Sequence, residues 1–287
     1  MSAEPIAVFA LGVALFASIL TLGFKAHLAE PFFLFRHPGL LVRTFLAKYV
    51  VVPMVTGAVL GLVPLPLNVK IGLTLLAISS AETTAPKEML ELGGNPPYVF
   101  SLLITMSLLA VITVPLSLAI LTALPLAADA SVPPLRVAKV VALTFLVPLA
   151  AGALLRRLVP RFAERIDEPL SAAAGYARPV SLLSLFVLNF SGIWDIGLAS
   201  FLVIAGLSGV ALAVGHWLGG PHPGDRASLA IAACSRETGI AALIAALNFP
   251  AKSTMVIIVI YEITTSLATM PYTKWRKEQM VAESLGT

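Results

Sequence analysis

Four charged residues lie inside long apolar stretches of this chain, Glu82, Arg236, Glu237 and Glu262. Three of them belong to two matching tetrads, Ser80-Ala81-Glu82-Thr83 and Ser235-Arg236-Glu237-Thr238, which share the pattern Ser-x-Glu-Thr. A guanidinium is permanently charged and carries five donors, so Arg236 suits a carboxylate ligand or stands in for a bound cation. Glu82 and Glu237 are its expected partners, with an Arg–Glu pair that only fixes local geometry as the plain alternative. Glu262, beside Thr264, Thr265 and Ser266, adds a third carboxylate. Three carboxylates against one Arg leave excess negative charge, and a low dielectric favours holding a proton on one of them. This makes Glu82, Glu237 and Glu262 proton-relay candidates, with a hydrogen bond from Glu262 to a neighbouring helix as the plain alternative. Thr83, Thr84 and Thr238 offer hydroxyl donors to an anion, or else ordinary helix caps.

The surrounding composition identifies the solvent these groups meet. The 287 residues are 58% hydrophobic and 12% charged, with a mean hydropathy of +0.95. Soluble domains carry about 25% charged residues. Transmembrane barrels alternate polar and apolar residues over strands of roughly 10 residues, whereas the apolar runs here are continuous. The expected class is an all-α polytopic membrane protein, with the lipid bilayer as a partner. The net charge of +4 and pI near 9.3 do not point to nucleic acid, because the 19 Lys and Arg fall mainly in short loops between apolar runs. Cys234 stands alone, so no intrachain disulfide is expected. The run Ile6 to Leu22 is as long as a span and is read as a first helix rather than a cleaved signal peptide.

A span needs about 20 mostly apolar residues. That length predicts nine helices, near 5–23, 41–62, 68–92, 97–124, 136–157, 178–194, 197–219, 226–248 and 251–272. Alternating the loops assigns fourteen basic residues, Lys48 and Arg178 among them, to one side, and only Lys70, Arg136, Lys139 and Lys252 to the other. The positive-inside rule makes the richer side cytoplasmic, with the N-terminus outside and a cytoplasmic C-terminal tail in the plasma (bacterial inner) membrane. Val159 to Tyr176 is expected to be a surface helix or loop at the cytoplasmic interface.

The two tetrads are offset by 155 residues, and nearly the same offset carries spans two, three and four onto seven, eight and nine. Span three then runs inward and span eight outward, which is an inverted repeat. Secondary transporters of this kind place their sites where two discontinuous helices meet at mid-membrane. Pro86 suits the first turn of a restarting half-helix. Gly239 suits the end of one half and a close backbone crossing.

Gly23-Phe24-Lys25 through Arg36-His37-Pro38, then Leu41 to Pro53, Leu73 to Pro86 with Gly94-Asn95, and Ala230 to Ala245 resemble the bile acid:sodium symporter family along nearly the whole chain. The resemblance implies a panel domain and a core domain with two crossed broken helices, and organic-anion import coupled to sodium. It divides the chain into panel segments 1–62 and 126–194 and core segments 63–125 and 195–287. By the same resemblance, the family's sodium ligands fall on Ala85, Pro86, Val99, Leu103, Ala232 and Arg236, none of which offers a side-chain oxygen. The usual sodium sites are therefore expected to be absent, with neither metal nor cofactor.

The expected function is secondary transport of a small organic anion, a carboxylate or bile-acid-like compound, with Glu82, Thr83, Thr84, Arg236, Glu237 and Thr238 contacting it. The alternative is a cation/proton exchanger of related inverted-repeat fold. No catalytic constellation such as His-Glu-x-x-His or Gly-x-Ser-x-Gly occurs, so an enzyme is not expected. A channel would differ by conductance without saturation.

Overall fold

The computed structural model describes residues 3–29, 33–122, 134–249 and 251–285. The helices are α1 (Ala3–Phe24), α2 (Pro38–Leu62), α3 (Leu67–Ile78), α4 (Pro86–Glu91), α5 (Pro96–Thr122) and α6 (Pro134–Leu158), followed by α7 (Pro160–Leu188), α8 (Gly197–Leu218), α9 (Pro223–Cys234), α10 (Thr238–Asn248) and α11 (Lys252–Leu285). Among the described residues, 7 helices are long and apolar enough to cross a membrane: α1, α2, α5, α6, α7, α8 and α11. The all-α polytopic class follows from these helices. Apart from a single turn at Phe33–Arg36, the others are short and stand as two pairs, α3 with α4 and α9 with α10, over the stretches 68–92 and 226–248 read from the sequence as broken helices.

Local chemistry sets both interruptions. Ser79 is extended, and both its N–H and its hydroxyl turn back to the Leu76 carbonyl (3.1 and 2.8 Å), which closes α3. Pro86 opens α4 at the first helical position, where its missing N–H would be unpaired anyway. On the second pair Ser235 is extended after Cys234, and α10 restarts at Thr238. Gly239, expected to end a half-helix, instead lies in the first turn of α10, where a Cβ would press into Leu15 of α1.

A π-turn over Leu46–Val51 interrupts α2. In that wider winding the Val52 N–H reaches the Ala47 carbonyl, five residues back. By the same register Pro53 would serve Lys48, but proline has no N–H. The Lys48 carbonyl is therefore left for a partner outside the helix.

α1 lies along α6 and α7, and the close approach to α6 rests on glycine. A Cβ on Gly23 would collide with the Leu149 carbonyl and Gly152. Such small-residue contacts let helices pack in lipid, where no hydrophobic force draws them together. α8 packs on α9 and α11, and α11 touches α3, α7 and α10. α2 packs against α3 and α8. The expected division between 125 and 126, and the end of helix 97–124, lie outside the described residues.

The segment 159–176 is not a separate interfacial element, because α7 continues unbroken from Pro160 to Leu188. The expected span 178–194 therefore moves toward the N-terminus, and residues Phe190–Asp195 form a separate short turn. At 1.5 Å rise per residue, Arg178 stands about 15 Å from the end of α7, roughly half the thickness of a bilayer core. α11 likewise continues through the expected tail, to Leu285.

Candidate functional site

The two tetrads meet. Ala81 and Arg236, their x positions, form an antiparallel bridge. The Glu237 N–H donates to the Ser80 carbonyl (2.9 Å), and the Glu82 N–H donates to the Ser235 carbonyl (3.4 Å). Backbone left open by one break is satisfied by the other, as a low-dielectric surrounding requires.

Around this bridge, Arg178 of α7 gathers the acidic and hydroxyl groups of both breaks. Its Nη1 donates to Glu82 Oε1 (2.6 Å) and to Thr84 Oγ1 (2.8 Å), while the Thr84 hydroxyl donates to the same Glu82 oxygen (2.5 Å). Its Nη2 donates to Thr238 Oγ1 (2.9 Å), and the Thr238 hydroxyl donates to Glu262 Oε2 (2.8 Å). Nη2 also reaches both Glu262 oxygens, at 3.3 and 3.5 Å. Each break thus contributes one threonine, Thr84 or Thr238, that links the guanidinium to a carboxylate.

The third carboxylate, Glu237, is held differently. Its Oε2 accepts from the N–H and the hydroxyl of Thr83 (3.0 and 2.9 Å), while Oε1 lies 3.6 Å from Arg178 Nη2. Arg178 and Glu237 side chains are 3% and 0% exposed, against 19% for Glu82 and 28% for Glu262. One face of the cluster is therefore accessible, and the carboxylates of Glu82 and Glu262 line it together with the exposed Thr84. Arg178 Nε and Glu237 Oε1 are buried without a hydrogen-bond partner among the described residues.

The expected pairing of Arg236 with Glu82 and Glu237 is not what the chain forms. Arg236 Nη1 donates to backbone carbonyls, those of Ala77 (2.9 Å), Lys48 (3.2 Å) and Ser79 (3.5 Å). The reason is geometric: as the bridge residue, Arg236 points away from Glu82 and Glu237 toward the carbonyl end of α3 and the acceptor that Pro53 leaves open. Lys48 does the same for the other break, its Nζ donating to Ala232 (2.9 Å) and Ser235 (3.3 Å) at the carbonyl end of α9. Tyr261 completes that end by donating to the Cys234 carbonyl (2.7 Å). Helix C-termini carry partial negative charge, so cations belong there.

Of the seven residues singled out from sequence, Glu82, Thr83, Thr84, Glu237, Thr238 and Glu262 come together, and Arg236 stands behind them at the carbonyl ends. Sequence reasoning missed Arg178 and Lys48, both assigned to the cytoplasmic side although both are buried. A signal existed for each. The stretch 178–194 is short for a span and ends in Asn189-Phe190-Ser191-Gly192, so a full-length helix ending near Leu188 has to include Arg178. Lys48 falls inside the apolar stretch 41–62.

The model of the Sodium Bile acid symporter family matches residues 9–196, which include Lys48, Glu82, Thr84 and Arg178. The second pair of half-helices lies beyond the match. A comparison with curated proteins finds no match. Members of the matched family are transporters rather than enzymes, in keeping with a multi-pass helical chain. On a match spanning well over half its length, the chain belongs to the sodium bile acid symporter family.

Proposed function

We propose that this protein is a secondary active transporter that carries a small organic anion, a carboxylate or bile-acid-like compound, across the plasma membrane by alternating access. The carrying observation is the reciprocal pairing of the two Ser-x-Glu-Thr tetrads, with Arg178, Thr84 and Thr238 joined beside it. In this reading each half-helix pair makes one crossing, giving nine passes with the N-terminus outside, and the paired tetrads lie on the axis of an inverted repeat. The moving panel is α1, α6 and α7, while α2 belongs with the core, a grouping supported by the packing of α2 on α3 and α8. Glu82, Thr83, Thr84, Glu237 and Thr238 remain the substrate-facing candidates, with Arg236 supporting them from the carbonyl ends.

The transport proceeds without sodium and with protons as the coupling ion. The carbonyls at the two half-helix ends already accept from Lys48 and Arg236. A further cation about 4 Å from either would meet about 4 kcal/mol of repulsion at an effective dielectric of 20, so these residues do not fit a sodium ion. Fixed charges take the place an ion would have.

A second reading, cation/proton exchange, draws on one observation. The accessible side chains of the cluster are the carboxylates of Glu82 and Glu262 and the Thr84 hydroxyl, not the guanidinium. The two readings separate in a thermal-shift panel of organic acids and organic amines, run with and without sodium. Stabilisation by carboxylates that is indifferent to sodium is expected. Stabilisation by amines alone, or a sodium-dependent shift, overturns the proposal.

A further inference from the structure

Arg178 ties α7 to both breaks and to α11 at once, and its contacts are unequal. Glu82 holds Nη1 at 2.6 Å, whereas Glu262 reaches Nη2 only at 3.3 and 3.5 Å and has the more exposed side chain. Nε has no hydrogen-bond partner among the described residues. Glu262 is therefore the ligand of the guanidinium that leaves most easily.

The charge count restricts what replaces it. With Glu82, Glu237 and Glu262 ionised beside one guanidinium, the cluster carries an excess of two negative charges. A substrate carboxylate added to that set would face about 4 kcal/mol from each like charge about 4 Å away at an effective dielectric of 20, which is roughly three decades of affinity for each one. A proton on Glu262 removes one of those charges and turns its carboxylate into a donor toward Thr238. Nη2 then keeps its bond to Thr238 but no longer holds Glu262, and an incoming carboxylate that takes that place restores the count that existed before. We infer that Arg178 binds the substrate's carboxylate in exchange for Glu262, so that one proton is taken up on Glu262 for each carboxylate bound. This rests on the anion-transport reading above and adds to it the binding residue and the origin of the coupling.

The groups facing Glu262 are consistent with that exchange. α7 contributes Arg178, and the two breaks contribute Glu82 and Glu237. On α11 itself, neighbouring Tyr261 is committed to the Cys234 carbonyl. α8 brings His216, which bonds Tyr272 (2.8 Å). α10 has no ionisable side chain. Among the described residues, Lys70 of α3, Asp195 of the short turn, and Asp225, Arg226 and Cys234 of α9 make no bond to Glu262. Among the described residues no second cation bonds Glu262 to hold its charge when Arg178 is taken.

The test uses the full chain in lipid nanodiscs, with benzoate and glycocholate as carboxylate probes, benzamide as the neutral isostere and tetraethylammonium as a cation. Binding is read by thermal shift and by calorimetry between pH 6 and pH 8, where both carboxylates are ionised. The expected result is carboxylate affinity that falls as pH rises, by up to about tenfold per unit for one linked proton, with one proton taken up per ligand. E262Q should bind the same probes with no pH dependence. R178K should keep the pH dependence with weaker binding, and R178Q should bind neither carboxylate. If R178Q fails to fold, E262Q still decides the matter. Carboxylate binding whose pH dependence is identical in wild type and E262Q overturns this inference while leaving anion transport standing. Stabilisation by tetraethylammonium, or by no carboxylate even at pH 6, overturns both.

Discussion

Arg178 and Arg236 are buried to the same degree and lie on opposite sides of one backbone bridge, yet they are bound by different chemistry. Arg236, together with Lys48, is held by backbone carbonyls that have nowhere else to go. Arg178 is held by side-chain carboxylates and hydroxyls, of which Glu82, Glu262 and Thr84 are accessible. A carbonyl cannot take up a proton, so the first arrangement stays closed while the fold stands. A carboxylate can, so the second opens when its charge is removed. One cation site therefore fixes the crossing, and the other has the chemistry of a switch.

Five measurements sharpen or break that contrast. The largest effect is expected for R236M, which strips the donor from the Ala77 and Lys48 carbonyls at the crossing. A loss of about 3–5 kcal/mol in unfolding free energy is expected, as for a broken buried charge contact, with poor recovery of folded protein at any pH. A loss equal to that of an exposed pair would remove the structural role.

R178Q should behave differently, because its partners can neutralise themselves. At low pH, protonated carboxylates tolerate the missing cation, and stability should be close to wild type. As pH rises they ionise without a counter-charge, and stability should decline by up to about 1.4 kcal/mol per pH unit for each group. Their contribution is present at low pH and lost at high pH. Unfolding curves at pH 6 and pH 8 read it, and a pH-independent loss would make Arg178 a second Arg236.

Next is K48M, expected to cost about 1–3 kcal/mol for carbonyls left unpaired at the end of α9, without a change in the pH profile. E262Q should alter stability by under about 1 kcal/mol, because Thr238 can still bond the amide. Its effect should appear instead as loss of pH dependence in carboxylate binding. The smallest effect belongs to K277A. Lys277 lies 3.1 Å from Glu91, but both side chains are about half exposed, and a solvent-screened pair of this kind is worth about 0.2–1 kcal/mol. Its substitution gives the baseline against which the buried cations are judged.

Much of the site was legible because charge inside an apolar run is rare. Glu82, Glu237 and Glu262 are conspicuous for that reason, and the tetrads flagged the two breaks before any coordinates. Arg178 was obscured by its surroundings. Pro179 after it and the charged stretch from Arg161 to Glu168 before it suggested a membrane boundary, whereas α7 carries the proline inside a continuous helix. Lys48 was assigned to the nearest loop because hydropathy averages over a window and does not register which way one long side chain turns. Arg236 was placed in the right segment and given the wrong partners. Alternation across an extended pair, with Glu82 and Glu237 on either side of the bridge, determines that its side chain faces the carbonyls.

The amino-acid sequence by itself determined the solvent, the helical class and the positions of the two interruptions, because each depends on residues within about twenty positions of one another. It also determined that negative charge exceeds positive among Glu82, Arg236, Glu237 and Glu262. Only the tertiary structure decided which cation meets which acceptor. Arg178 binds Glu82 and Glu262 across 96 and 84 residues of chain, and Lys48 reaches Ala232 across 184. Whether a buried charge ends on a carbonyl or on a carboxylate depends on how whole helices cross, and that is set by the summed packing of the bundle rather than by any local run of residues.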